Sequence, residues 1–194
     1  MIRTQLELAP TNEGSELLLE DVDRMARQIQ QLLILAEVSE PQNYRMEPVN
    51  PRATVIEVFN FMERVAEQHK VLLGLRIEDD VGRWSFDRGA LFTLLKNLLE
   101  NAIQHSPAGT LVALHVGSTG MSVKDHGSGI PTDLLPRIFE RFWRGPERRE
   151  KGAGLGLAIC QEIASAHGWT LEAISAGTGL EMRVTWPFKL GPRF

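Results

Sequence analysis

The chain has 194 residues, 43% of them hydrophobic and 24% charged, and its net charge is −4. These values are typical of a globular protein with one full core, and the acidic balance argues against a protein that coats nucleic acid. The single cysteine excludes a disulfide framework and a cysteine-based zinc site, which favours a reducing cytosolic setting. No apolar run approaches the ~18 residues of a membrane span, and the N-terminus lacks the layout of a signal peptide. We therefore expect a soluble chain.

Residues 1–45 are predicted to form a helical hairpin. Residues 2–9 have the pattern of the tail of an amphipathic helix that stops at Pro10, and a longer helix follows over 15–40. An apolar stripe on so long a helix needs a surface that covers it. We favour a partner helix in a dimeric helical bundle; packing on the rest of the same chain is the alternative. The stripe is a heptad seam with alternating spacings of four and three: Leu18, Val22, Met25, Ile29, Leu32 and Ala36.

Prolines 41, 48 and 51 mark the boundary to a second predicted domain, over 46–190. Helices segregated from mostly antiparallel strands predict an α+β fold, a two-layer sandwich. The last two strands should pair as a hairpin through residues 176–179. Periodicity predicts helices over 52–70, from an N-cap at Asp87 to about 105 and over 154–167, and strands near 71–78, 84–86, 111–117, 121–124, 170–175 and 181–186.

The helix LFTLLKNLLENAIQHS carries a polar stripe beside its broad apolar face. Asparagine is a poor helix former because its side chain competes for its own backbone, so two of them one turn apart are costly. A carboxamide oxygen is a hard, neutral ligand that suits Mg²⁺. The stripe is either a metal and phosphate site or an ordinary polar surface. Helical spacing puts its members on one side: Asn97, Asn101, Gln104 and His105.

A predicted strand ends at Asp125 in the stretch VKDHGSGIP. Gly127 and Gly129 let the backbone turn where side chains would clash. A carboxylate at this place can accept a hydrogen bond from an exocyclic amine such as adenine N6, and the glycines admit a flat ring. The same pattern also occurs in ordinary turns, which commonly hold Asp and Gly.

The stretch RIFERFWRGPERREKG, residues 137–152, sets large apolar side chains among cations. A long loop with its own aromatic anchors is typical of a functional lid, and the planar fork of arginine suits polyphosphate. The alternative is a solvated basic loop. The aromatic members are Phe139, Phe142 and Trp143, and the cationic ones are Arg137, Arg141, Arg144, Arg148, Arg149 and Lys151.

Three alternating glycines, Gly152, Gly154 and Gly156, run directly into a helix in GAGLGLAIC. Free N–H groups and the positive end of the helix dipole converge at such a start, which makes an anion site. The stretch has neither the G-K-[ST] of a P-loop nor the spacing of G-x-G-x-x-G. It is a hinge or a phosphate cradle, and its place after the arginine-bearing loop favours a cradle whose glycines also let the loop close.

In this fixed order, the four stretches resemble the N, G1, F and G2 boxes of the sensor histidine kinases: LLKNLLENAIQHS, DHGSGIP, FERFWRG and GAGLGLAI. The resemblance covers about residues 46–188. The helix over 15–40 resembles the second helix of that family's dimerisation domain, and IRTQLELA resembles the segment after its phospho-acceptor motif. The resemblance to the sensor histidine kinases implies a Bergerat-type (GHKL) ATP-binding sandwich with a mobile lid and a helical hairpin remnant, and it implies that the chain binds ATP with Mg²⁺.

The resemblance also implies roles for individual residues. Asn101 would ligate Mg²⁺ and Asp125 would read adenine N6. Phe139 would anchor the lid, and Arg141 and Arg144 would contact the terminal phosphates and form the catalytic set with Asn101. The other implied nucleotide-binding residues are Asn97, Gln104 and His105 of the helix, Gly127, Gly129 and Ile130 of DHGSGIP, and Lys151, Gly152, Gly154, Leu155, Gly156 and Leu157 of KGAGLGL.

Two departures from the family pattern bear on activity. Gln104 stands where many relatives carry Lys or Arg, so one phosphate contact lacks its charge. None of the five histidines has the H-E-x-x-x-P context of the phospho-acceptor. Phosphoryl transfer needs positioning and charge neutralisation more than covalent help. We therefore expect a chain that binds ATP·Mg²⁺ but cannot autophosphorylate on histidine, whereas its parent would phosphorylate an upstream histidine and pass the group to a response-regulator aspartate.

Other functions remain open at this point. The chain could be a chaperone-, topoisomerase- or mismatch-repair-type ATPase of the same superfamily, or an anti-sigma-type serine kinase, although the lid and the heptad helix argue against these. It could also be a non-catalytic dimeric module that uses nucleotide as a conformational ligand. The expected partners are ATP, a second copy through the hairpin and a response-regulator receiver domain, with no nucleic acid. The expected location is the cytoplasm, with the parent anchored in the bacterial inner membrane.

Overall fold

The computed structural model describes residues 13–145, 153–175 and 178–186. The predicted elements of the second domain are confirmed with ends displaced by at most two residues, whereas the short helix predicted over 2–9 lies outside the described residues. In chain order the elements are α1 (Glu13–Val38), a 3₁₀ turn (Pro41–Asn43), β1 (Glu47–Val49), α2 (Arg52–His69), β2 (Leu72–Ile77), β3 (Trp84–Phe86), α3 (Arg88–His105), β4 (Leu111–Val116), β5 (Gly120–Lys124), a second 3₁₀ turn (Leu135–Phe139), α4 (Gly156–Ala166), β6 (Thr170–Ser175) and β7 (Leu180–Thr185).

Five strands form one sheet in the order β2-β4-β5-β7-β6. All neighbouring pairs are antiparallel except β2 and β4, which are parallel because the chain crosses over through α3 between them. The predicted hairpin of β6 and β7 is confirmed, with Ser175 opposite Leu180. A second, two-stranded sheet pairs β1 with β3, and it brings the segment after α1 to the start of α3.

Helices α2, α3 and α4 cover one face of the five-stranded sheet, which gives the expected two layers. Helix α3 lies at the centre, and its apolar face is almost completely buried. Burial of a Leu or Ile side chain contributes about 1.5–3 kcal/mol, so this face fixes the position of α3 firmly. Its buried residues are Ala90, Leu91, Leu94, Leu95, Leu98, Leu99, Ala102 and Ile103. The strands alternate as a half-buried sheet should, as in Val112, Leu114 and Val116 of β4.

Helix α1 packs on α4, but it does so with a different face from the heptad seam. Leu35 is buried, and Ile34 and Val38 pack against the core. Most of the seam is open to solvent: Leu18 is 54%, Met25 59%, Ile29 56% and Leu32 44% exposed, whereas Val22 is half-buried. One apolar face of α1 is therefore covered by the rest of the chain, and a second apolar face is exposed.

Candidate nucleotide site

The polar stripe of α3 lies beside the start of α4. Asp87 caps α3 as predicted, because its Oδ1 accepts a hydrogen bond from the Ala90 backbone N–H at 2.9 Å. Asn97 and Asn101 are half-buried on the polar side of this helix. A Cβ placed on Gly156, the first residue of α4, would lie 3.8 Å from Oδ1 of Asn97. The stripe and the last glycine of GAGLG, which are 59 positions apart, are thus brought together.

Asp125 is the one charged residue among the buried side chains of the described chain, and it is 3% exposed. Its Oδ1 accepts hydrogen bonds from the backbone N–H groups of Gly127 at 2.8 Å and Leu180 at 3.0 Å. Burial of a carboxylate is costly without such partners, so these two bonds fix its orientation. Both bonds use Oδ1, which leaves Oδ2 as the oxygen that can accept a hydrogen bond from an exocyclic amine.

The glycines around Asp125 allow backbones to approach closely. A Cβ on Gly127 would lie 2.5 Å from the carbonyl oxygen of His105, so this glycine lets the turn pack on the end of α3. Gly179 has φ +91°, and a Cβ there would clash with the carbonyl of Asp125. The sequence identified Gly127 as a site residue but placed Gly179 only in the hairpin loop. Its neighbour Leu180, whose N–H holds Asp125, was missed, since no local signal connects residues 55 positions apart.

The arginine-bearing loop is tied to the glycine turn that starts α4. Gly154 has φ +69°, and a Cβ there would lie 2.6 Å from the Trp143 carbonyl oxygen. The N–H of Phe142 donates to the Gly154 carbonyl at 2.9 Å. Phe142 itself has φ +65°, a strained conformation for a bulky residue, and it is 60% exposed. Gly154 is thus required by close backbone packing as well as by conformation.

The loop presents cations around an open cleft of about 560 Å³. Arg141, a predicted phosphate ligand, donates through Nη2 to Oε1 of Glu162 on α4 at 2.9 Å, so in this structure it points to α4. Phe139 is half-buried against the core, and its neighbour Ile138 is the more deeply buried anchor. The cleft is lined by Leu134, Arg137, Glu140, Arg141, Phe142, Trp143 and Arg144.

The remaining predicted residues fall into four groups. Gln104 and His105 are exposed at the end of α3, and Gly129, Ile130 and Leu157 are half-buried. The Leu155 side chain is fully buried in the core, so only its backbone could face a ligand. Lys151 and Gly152 lie outside the described residues.

A metal at this site would have few protein ligands. The described residues hold no group of three or more His, Cys, Asp or Glu that could bind a metal ion. Mg²⁺ commonly takes one or two protein oxygens and completes its shell with substrate phosphates and waters. The half-buried carboxamide of Asn101 fits that requirement only together with a phosphate-bearing ligand.

Among the described helices, none is long and apolar enough to cross a membrane.

Comparison with known proteins gives a consistent result. Residues 86–190 match the family described as histidine kinase-, DNA gyrase B-, and HSP90-like ATPase. The sensor protein QseC of Escherichia coli K12 is 32% identical over 171 residues, which cover 85% of this chain and 37% of QseC. The sensor histidine kinase CusS of the same strain is 32% identical over 200 residues, which cover 95% of this chain and 41% of CusS. The chain thus spans about two fifths of the length of these relatives.

Solved structures show the same fold. Full-length ShkA in complex with AMPPNP matches with a TM-score of 0.79 at 24% identity, over 98% of this chain and 42% of that one. The cytoplasmic segment of the histidine kinase QseC matches with a TM-score of 0.59 at 25% identity, over 86% of this chain and 94% of that one. The chain belongs to the histidine kinase-, DNA gyrase B- and HSP90-like ATPase family, and within it the chain is similar to the sensor proteins QseC and CusS.

Proposed function

We propose that this chain binds ATP with Mg²⁺ and serves as the phosphoryl-donating part of a sensor histidine kinase. The observation that carries the proposal is Asp125, a buried carboxylate held by two backbone N–H groups with its second oxygen left to accept from adenine N6. Asn97 on α3 adjoins Gly156 at the start of α4, and Asn101 follows one turn later on the same side of α3. The phosphates of such a nucleotide would extend over this place.

Each part of the site has a separate task in this proposal. Asp125 selects the base, since an amine donor satisfies it and a carbonyl acceptor does not. Asn101 provides the protein oxygen for Mg²⁺, which when bound neutralises charge on the phosphates. The backbone N–H groups at the start of α4 face the phosphates, and Arg144 and Arg141 supply further positive charge. Arg141 would first have to leave Glu162.

The chain lacks the acceptor histidine motif, so phosphoryl transfer requires a histidine from outside it. We propose that the parent protein phosphorylates its own upstream histidine and passes the group to an aspartate of a response-regulator receiver domain.

The exposed seam of α1 supports a dimer through this helix, because Met25 and Ile29 are each more than half exposed. Sedimentation tests this by comparing the oligomeric state of the wild type with that of Ile29→Lys. If both sediment as monomers, the proposed dimer is contradicted.

Isothermal titration calorimetry with ATP, with and without Mg²⁺, tests the nucleotide proposal. Asn101→Ala should lose most of the Mg²⁺-dependent part of the affinity, while Asn60→Ala, an exposed asparagine on α2, provides the matched control. Equal affinities in wild type and Asn101→Ala would remove the metal assignment. Incubation with radiolabelled ATP should leave this chain unlabelled; an acid-labile, base-stable phosphoprotein would contradict the missing acceptor.

A non-catalytic nucleotide-binding module is the second candidate, and the uncharged, exposed Gln104 favours it because one phosphate contact lacks its cation. Mixing the chain with a separately made helical domain that contains an acceptor histidine separates the two functions. Transfer of phosphate to that domain supports the kinase. Binding of ATP without transfer supports the regulatory module.

A further inference from the structure

A polar junction joins the end of α1 to the two helices that border the nucleotide site. The Tyr44 hydroxyl donates to the Val38 carbonyl at the end of α1, at 2.6 Å. The ring of Tyr44 meets His167, just beyond α4, edge-on with centroids 5.1 Å apart. Tyr44 thus contacts α1 through its hydroxyl and the end of α4 through its ring.

Asp87 is the second member of the junction and uses three of its groups. Oδ1 caps α3, and Oδ2 accepts from the backbone N–H of Arg45 at 2.9 Å. Its own backbone N–H donates to Nε2 of His167 at 3.1 Å. The N-terminus of α3 is therefore bound both to the segment that follows α1 and to the end of α4.

His167 is held as a neutral ring with one defined tautomer. The Asp87 N–H can only donate, so Nε2 accepts, and Nδ1 carries the hydrogen that it donates to the Ile163 carbonyl at 2.8 Å. Burial lowers the pKa of His167, which agrees with this geometry. A protonated ring would place two donors face to face at Nε2.

The elements joined here are those that carry the site. Asn97 and Asn101 lie on α3, whose N-terminus Asp87 caps, and Gly156 begins α4, whose end His167 follows. The arginine-bearing loop reaches the same helix, because Arg141 pairs with Glu162. Burial, with smaller contributions from Asp87 and then Glu162, raises the pKa of Tyr44 to about 12, so its hydroxyl stays protonated and keeps donating to α1.

We propose that Tyr44, Asp87 and His167 are positioning residues that couple the docking of α1 to nucleotide binding. The docked α1 holds α3 and α4 in their relative places, so a nucleotide that needs both helices ordered binds more tightly, and by reciprocity the bound nucleotide strengthens α1 docking. The inference rests on the proposed nucleotide binding, and it adds the means by which the helical segment regulates that site.

Two variants distinguish an effect of the junction on nucleotide binding from a general loss of fold stability. Asp87→Ser keeps an oxygen that caps the Ala90 N–H and loses the contact with the Arg45 N–H. Tyr44→Phe keeps the ring against His167 and loses the hydrogen bond to Val38. Ser39→Ala is the matched control, because it removes a hydrogen bond to Leu35 at the same end of α1 without touching the junction.

The readouts are the Kd for Mg·AMPPNP by calorimetry and amide hydrogen exchange over residues 30–38. Both junction variants should weaken binding about 3- to 10-fold and speed exchange in α1, since each loses one hydrogen bond of ordinary strength. Mg·AMPPNP should slow exchange of 30–38 in the wild type. Ser39→Ala should leave the Kd within twofold of the wild type.

The role of the His167 acceptor has its own test. His167→Gln, which keeps an acceptor on a side chain of similar reach, should retain the wild-type Kd, whereas His167→Leu, which only fills space, should weaken it as Asp87→Ser does. Junction variants that speed exchange in α1 but leave the Kd within twofold of the wild type would overturn the coupling. Equal Kd values for His167→Gln and His167→Leu would also overturn it. A wild type that does not bind Mg·AMPPNP would refute the proposed function, and the coupling with it.

Discussion

Replacement of Asp125 by Asn tests the base-reading site with little change to the fold. The new side chain is isosteric, and its carboxamide oxygen can accept the same hydrogen bonds from the Gly127 and Leu180 N–H groups that Oδ1 accepts now. The second position changes from an acceptor to an NH₂ donor. We therefore expect the free energy of unfolding to change by less than about 1 kcal/mol.

The effect on nucleotide affinity should be much larger. Adenine N6 is a donor and would meet a donor at residue 125, so ATP loses a charge-assisted hydrogen bond worth about 1.5–3 kcal/mol, or about 10- to 100-fold in Kd. Guanine presents a carbonyl acceptor at the equivalent position. Asp125→Asn should therefore weaken ATP binding while narrowing the preference for ATP over GTP.

Calorimetric titration of wild type and Asp125→Asn with each nucleotide measures this change. Asp133→Asn, which neutralises an exposed carboxylate at the neighbouring turn, controls for net charge and should leave both Kd values unchanged. Retention of the wild-type ATP affinity within threefold in Asp125→Asn would refute the reasoning. An equal loss for both nucleotides with a normal thermal melt would mean that Asp125 does not contact the base at all.

Three further predictions concern stability and reactivity. Gly127→Ala should lower the free energy of unfolding by about 1–3 kcal/mol in urea titrations, since its Cβ would lie 2.5 Å from the His105 carbonyl oxygen; an unchanged midpoint would contradict the packing. Burial lowers the pKa of His167, while the hydrogen bond to the Ile163 carbonyl and then Asp87 oppose this shift, so the unfolded chain takes up this proton at a higher pH than the folded chain. The contribution of His167 should be complete above about pH 6.5 and be lost as the pH falls, and His167→Gln should remove that part of the slope in urea titrations from pH 7.5 to 5.5. The Cys160 thiol is fully buried, and burial raises its pKa, so it should react with a thiol reagent only after unfolding; fast reaction in the native protein would contradict this.

Much of the fold could be read from local signals. Periodicity predicted each major strand and helix of the ATP-binding domain, and Asp87 caps α3 as its position before the helix implied. The Asp125 turn and the glycines near α4 could also be identified, because a turn with close backbone approach demands particular residues at adjacent positions.

The uses of side chains were harder to predict. Among the α1 side chains that the structure describes, Leu35, outside the heptad seam, is the one buried in the core, since the face of a helix that is covered depends on what lies beside it. Arg141 pairs with Glu162, 21 positions further on, a contact that exists only because the loop folds back along α4.

The amino-acid sequence by itself determined the elements, the order of the four motifs and hence the class of ligand that we propose for this chain. Only the tertiary structure decided that Leu180 orients Asp125, that Gly156 adjoins Asn97 and that His167 at the end of α4 accepts from the Asp87 N–H at the start of α3. Periodicity and turn chemistry act over a few residues, whereas these contacts arise from sheet pairing and helix packing between segments 55 to 80 residues apart.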